Sequence, residues 1–257
     1  MYDPTSEYYT DYAGMTLERV IANYPDYDQM DNCTDADSSS ACAHLKKSKL
    51  VARHEFLAEC EENGIFVYKA HAGQTYYLAD AKLVILHTAE IATEAIPNAK
   101  CGHEDGDQAC SNRLSVITQM ILPVNGYDVT FMMTGDAESY NAYRVNELYG
   151  VAMKSDFLQA PHHGANSMGD TFYYDNVAAL YFMVPTSNNR WNGDENGGWF
   201  GDDKPLVLQY KEGRTGLKNV KYSLSEGVTT FIAGDMSHEF SLSVTDGVLS
   251  VTDISLL

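Results

Sequence analysis

What the sequence lacks narrows it first. None of its 257 residues belongs to an apolar run approaching the roughly 18 that a membrane-crossing helix needs, so no helical membrane span is expected. Basic residues are scarce: 17 Lys and Arg face 36 Asp and Glu, for a formal net charge of -19. Such a surface repels polyanions and disfavours nonspecific attachment to DNA, RNA or an anionic membrane, unless a basic patch or a bound cation offsets it locally. None of the five cysteines has the C-x-x-C spacing of a zinc ribbon, which argues against a structural zinc. The N-terminal Met1-Tyr2-Asp3-Pro4 is acidic and polar where a signal peptide would be basic and then apolar, so any such segment is expected outside this chain. There are no internal repeats and no low-complexity tract.

What is present suffices for one substantial core. With 44% hydrophobic and 11% aromatic residues, the chain is expected to form a single α/β domain over 1–257, with the Tyr-rich, acidic residues 1–15 as a loosely held lead-in. Apolar spacing predicts a helix over Leu50–Glu62, with Gly64 suited to the left-handed position after it. Strands are expected at Ile65–Lys69 and Lys82–His87, and an irregular excursion at Ile91–Asp107. Asn125-Gly126 between Leu114–Leu122 and Asp128–Met133 is a strong hairpin signal. Helices are then expected at Glu138–Tyr149, Asp170–Ala179 and Asp203–Glu212, and strands at Ser155–Gln159 and Leu180–Val184. Tyr222, Val228–Ala233, Phe240–Val244 and Val248–Ile254 read as a closing antiparallel set.

Two loops carry the chemistry. Val129–Met133 is an apolar, partly β-branched strand, and Gly135 lets the backbone turn sharply so that Asp136 stands at the strand tip. One helix and one short strand later, Ala160-Pro161-His162-His163-Gly164 places two imidazoles just past another strand end. In α/β sheets, ligands and metals gather at the carboxyl ends of strands. A carboxylate and an imidazole converging there suit zinc or a similar divalent ion. Each signal alone has a plainer reading: Asp136 as an N-cap for the helix beginning near Ser139, the histidines as exposed loop residues. Their combination in this strand–helix–strand order is far more specific.

Thr134-Gly135-Asp136-Ala137-Glu138 followed by Pro161-His162-His163-Gly164 resembles the metallo-β-lactamase superfamily, and within it the ComEC-like branch with its T-G-D-x-E and H-H-G motifs. Supporting segments occur in the same order: Glu62-Asn63-Gly64-Ile65 with Val67, Ala72-Gly73-Gln74, Leu83–His87 and Asn112–Val116. The resemblance runs from about Thr16 to Asn192 and implies a four-layer αββα sandwich, here partial. It further implies a metal-dependent hydrolase of phosphodiester or related ester bonds, binding zinc or manganese through Asp136, His162 and His163, with Asp136 in the bridging, catalytic role. Two departures accompany it. The superfamily's H-x-H-x-D-H motif is absent: none of His44, His54, His71, His87, His103, His162, His163 and His238 has that spacing. The expected N-R-(Y/F)-G-H-P stretch reads Asn189-Arg190-Trp191-Asn192-Gly193, without its histidine. Since Leu17–Tyr24 resembles the strand that follows the missing motif, the chain reads as the C-terminal portion of such a domain, inactive or low in metal occupancy by itself. A partial sandwich would leave an apolar sheet face exposed, so a homodimer covering it is expected.

Other features carry weaker readings. Cys33 with Cys42 and Cys101 with Cys110 each flank an acidic loop, leaving Cys60 as a buried free thiol on a helix. Disulfides there would favour an extracellular or cell-surface setting, while reduced cysteines in the cytoplasm remain the open alternative. Asp31, Asp35 and Asp37, and Asp194–Gly198, lack the glycine and distal glutamate of a calcium loop and read as solvated loops. Gly234-Asp235 with His238 reads as a turn, and His71 and His87 as strand-end histidines. Beside the hydrolase stand two alternatives: a noncatalytic binding or surface module on the same scaffold, and an acidic calcium-binding surface protein.

Overall fold

The computed structural model describes residues 17–24, 47–88, 114–137, 139–164, 171–185, 229–232 and 239–253. The paired cysteines, both acidic calcium-like loops, the 203–212 helix, Glu138, and Gly234-Asp235 with His238 lie outside them. The chain divides into two compact units, residues 1–72 with 88–116, and residues 73–87 with 117–257.

The first unit is a β-α-β element. Strand β1 (Arg19–Ala22) pairs in parallel with β2 (Phe66–Lys69), and helix α1 (Lys47–Glu62) lies between them in sequence. The helix ends where Gly64 adopts φ +76°, a left-handed conformation that glycine takes without Cβ strain. At the strands' carboxyl ends Ala70 donates its N–H to the Ala22 carbonyl, and the buried Asn23 amide donates to the Ala70 carbonyl. Cys60 is a buried free thiol whose pKa is raised by burial and then by Glu59 and Glu61.

The second unit is built on a seven-stranded mixed sheet in the order β3-β4-β5-β6-β7-β8-β9. Strands β3 (Thr75–Leu78), β4 (Ala81–His87), β5 (Ile117–Val124) and β6 (Tyr127–Met133) form an antiparallel meander, and β6, β7 (Phe157–Gln159), β8 (Tyr181–Val184) and β9 (Thr229–Ile232) run parallel. The β5–β6 turn is the expected Asn125-Gly126, with both residues at positive φ (50° and 82°), as a two-residue hairpin requires. Helix α2 (Ser139–Tyr149) links β6 to β7 and α3 (Thr171–Val177) links β7 to β8, because parallel neighbours need a crossover. The expected antiparallel closing set is corrected in part. Tyr222 lies outside the described residues; the run at 228–233 forms β9, which joins β8 in parallel, and β10 (Phe240–Thr245) and β11 (Val248–Asp253) pair with one another as an antiparallel hairpin. An apolar run identifies a strand without naming its neighbour.

The two faces of the sheet are covered differently. Met132, Leu158 and Phe182 are register partners on one face and share a buried cluster with Ala142 and Val145 of α2 and Tyr173 and Val177 of α3. On the opposite face Phe131, Phe157 and Tyr181 stack at 4.4 and 4.8 Å between ring centroids, and the Tyr181 hydroxyl donates to the Leu249 carbonyl of the β10–β11 hairpin. Within this unit the layers therefore run helices, large sheet, small hairpin. At the amino end of β7, Asp156 accepts from the Tyr127 hydroxyl (2.8 Å), the Thr130 N–H (2.8 Å) and the Thr130 hydroxyl (2.9 Å), and its own carbonyl accepts from Leu180 and Tyr181. One residue thus ties β6, β7 and β8 together at the edge where β7 begins.

Candidate metal centre

The parallel run β6-β7-β8 puts three consecutive loops at one edge of the sheet. The first carries Thr134-Gly135-Asp136, with Gly135 at φ +56° making the turn. The second is Pro161–Gly164, and the third opens with Pro185. The first two loops are joined directly: the Thr134 N–H donates to the Gln159 side-chain oxygen (3.2 Å), the Thr134 hydroxyl to the Gln159 carbonyl (3.0 Å) and the His162 N–H to the Gly135 carbonyl (2.9 Å).

This cross-bracing brings His163 to Asp136, with Nε2 and Oδ1 3.4 Å apart. The other ring nitrogen, Nδ1, lies 2.7 Å from the Pro185 carbonyl. A carbonyl only accepts, so Nδ1 carries the proton and, in the neutral ring, Nε2 turns its lone pair towards the carboxylate. A metal-ligating histidine is oriented in the same way by a carbonyl on its far nitrogen. Both side chains reach solvent, at 38% exposure for His163 and 45% for Asp136.

The separation supplies a test of fit. Nitrogen and oxygen ligands at about 2.0–2.2 Å from a tetrahedral zinc sit roughly 3.4 Å from one another. The pair matches that edge, and its donor set of one imidazole nitrogen and one carboxylate oxygen suits zinc or manganese. It makes two ligands of the about three that a catalytic zinc takes from protein. Among the described residues, no three His, Cys, Asp or Glu side chains gather closely enough to hold an ion.

The backbone beneath the histidines is unusual. His162 (φ 48°, ψ 48°) and His163 (φ 58°, ψ 20°) are consecutive left-handed residues, a conformation that costs a non-glycine residue about 1–2 kcal/mol. Strain of this kind persists only where the surroundings enforce it, and it concentrates at functional positions. Its geometric effect is to part the two imidazoles, whose ring centroids lie 6.4 Å apart with planes at 55°. His163 faces Asp136, and among the described residues His162 does not complete a group of three donors with them.

His87 is fully buried at the end of β4, with Nε2 3.4 Å from the Asn141 amide nitrogen of α2. His71 is exposed in the first unit. Sequence reasoning missed the Pro185 carbonyl, which as a backbone group has no residue-type signature, and it missed the bracing by Gln159. The signal available for the latter was a polar residue closing the otherwise apolar Phe157-Leu158 strand. Compared with known proteins, the chain matches no family model and no curated sequence.

Proposed function

We propose that this chain is a metal-binding scaffold of the metallo-β-lactamase kind, built for metal-dependent hydrolysis of phosphodiester or related ester bonds, with Asp136 and His163 as two ligands of a zinc or manganese ion. The observation that carries the reading is the 3.4 Å separation of His163 Nε2 from Asp136 Oδ1, with His163 Nδ1 already engaged by the Pro185 carbonyl. Supporting it are the placement of both loops at the carboxyl edge of parallel strands, and a layer order in the second unit that matches part of the αββα sandwich. His162 contributes strain and spacing to the loop, and the metal role falls to His163 within the His-His pair.

A bound divalent ion would supply a water of pKa about 7 and polarise a phosphoryl oxygen. The chain's own residues do the rest: Asp136 offers charge that offsets the cation, Pro185 fixes the His163 tautomer, and the braced loops hold both at the spacing a tetrahedral ion needs. Because the sequence holds no H-x-H-x-D-H, hydrolysis is proposed to need further ligands, and this chain alone to bind metal weakly. The noncatalytic module is the second reading, favoured by the convergence of two donors only among the described residues.

Calorimetric titration with zinc and with manganese tests the assignment. We expect saturable binding by the native chain and its loss in both Asp136→Ala and His163→Ala, while His162→Ala retains it. Equal affinity in native and Asp136→Ala protein would refute the site. Joining the chain to a half-domain that carries H-x-H-x-D-H and adding a phosphodiester substrate separates the readings, since metal-dependent turnover abolished by Asp136→Ala supports the hydrolase and metal binding without turnover supports the module.

A further inference from the structure

The register of β6 and β7 ends at Phe131↔Phe157 and Met132↔Leu158, so the two strands part before the candidate ligands are reached. Beyond that point the Thr134 N–H meets a side chain instead of a strand carbonyl. The Gln159 Oε1 accepts it at 3.2 Å and extends the ladder past the end of the sheet. The same residue's backbone carbonyl accepts the hydroxyl of Thr134, which is fully buried. Gln159 therefore grips Thr134 twice, two positions before Asp136 and four before His163. The next link, His162 N–H to the Gly135 carbonyl, follows in the same direction. A ligand pair must be held to within about 0.5 Å of its productive geometry by neighbours whose own positions are locked.

We infer that Gln159 is a positioning residue for the Asp136–His163 pair: its amide oxygen, bound to the Thr134 N–H, sets the separation of the two side chains across the β6 and β7 loops. This rests on the metal-centre reading proposed above and adds to it a residue that never touches the ion. Alternation along β7 makes the requirement specific. Residue 159 shares its face with Phe157, where an apolar side chain would continue the stack and leave the Thr134 N–H without this acceptor.

The test uses Gln159→Met, which keeps the length and removes the acceptor, and Gln159→Glu, which keeps an acceptor at the same reach. Cobalt(II) replaces zinc as a spectroscopic probe of coordination, and zinc affinity is measured by calorimetry on the same full-length chains. Gln159→Met is expected to weaken zinc binding about 10–100-fold and to alter the cobalt absorption bands, as loss of a residue that orients ligands does. Gln159→Glu is expected to restore the native cobalt spectrum. A Gln159→Met protein with native affinity and native cobalt bands overturns the inference, even if its melting temperature falls, and leaves the metal centre standing. Absence of zinc and cobalt binding in the native chain overturns both.

Discussion

Two consecutive left-handed histidines make a prediction whose sign is opposite to the usual one. At an ordinary right-handed position glycine is less stable than alanine by about 0.5–1 kcal/mol, because it loses more freedom on folding. At φ 48° and φ 58° an alanine keeps the Cβ and its left-handed penalty of about 1–2 kcal/mol per residue, and glycine sheds it. Subtracting the entropic term leaves glycine ahead by roughly 0.5–1 kcal/mol at each position, or about 1–2 kcal/mol for both. The comparison is therefore the double variant His162→Gly with His163→Gly against the double variant His162→Ala with His163→Ala. Both remove the same imidazoles and the bond to the Pro185 carbonyl, and both keep the His162 N–H bond to Gly135, so the difference isolates the backbone. Urea denaturation should place the glycine midpoint higher at unchanged slope, and the melting temperatures should differ by roughly 2–8 °C. An alanine double variant as stable as the glycine one, or more so, would refute the claim that this loop stores strain.

Two further outcomes follow from the packing. Asp156→Ala removes an acceptor of three hydrogen bonds that join β6 to β7, and should lower unfolding free energy by about 3 kcal/mol in denaturant titration; a loss under about 1 kcal/mol would mean that solvent replaces the carboxylate readily. Burial raises the phenol of Tyr173, with a further contribution from Tyr174, and burial raises that of Tyr174, so the folded state favours both neutral forms. The stability this represents is complete below the ordinary tyrosine value of about 10 and is lost as pH rises towards the folded-state values. Among the described residues the buried Tyr173 hydroxyl has no hydrogen-bond partner, so Tyr173→Phe should be stabilising by up to about 1 kcal/mol at neutral pH and should lessen the alkaline loss. A destabilised Tyr173→Phe would show that the hydroxyl is satisfied.

Legibility in the sequence followed the physics of each element. The β5–β6 hairpin could be read from Asn125-Gly126 because only residues tolerant of positive φ fill that turn. The β3–β4 hairpin could not be read, since Ala79-Asp80 makes its turn with Ala79 at φ 53°, outside the usual Asn-Gly signature. The strand at Thr229–Ile232 was legible as a strand but not as the parallel neighbour of β8, because pairing across a long connection leaves no local mark. At the site, Asp136 and the His-His pair stood out by type and spacing. The inequality of His162 and His163 did not, since it arises from backbone angles and from a carbonyl 22 residues downstream.

The strand order explains why this pair can meet at all. Neighbouring strands lie about 4.8 Å apart, so loops leaving adjacent strands at the same edge bring side chains within reach, whereas loops one strand further apart start nearly 10 Å away. Asp136 leaves β6, the His163 loop leaves β7, and Pro185 leaves β8, three neighbours running in one direction. His163 sits in the middle and can touch both flanks, the carboxylate through Nε2 and the carbonyl through Nδ1. Interrupting the parallel run between β6 and β8 would break one of those contacts. The Phe131–Phe157–Tyr181 stack and the Asp156 bonds hold that run together, so residues remote from the candidate site hold Asp136 and His163 in place through the sheet.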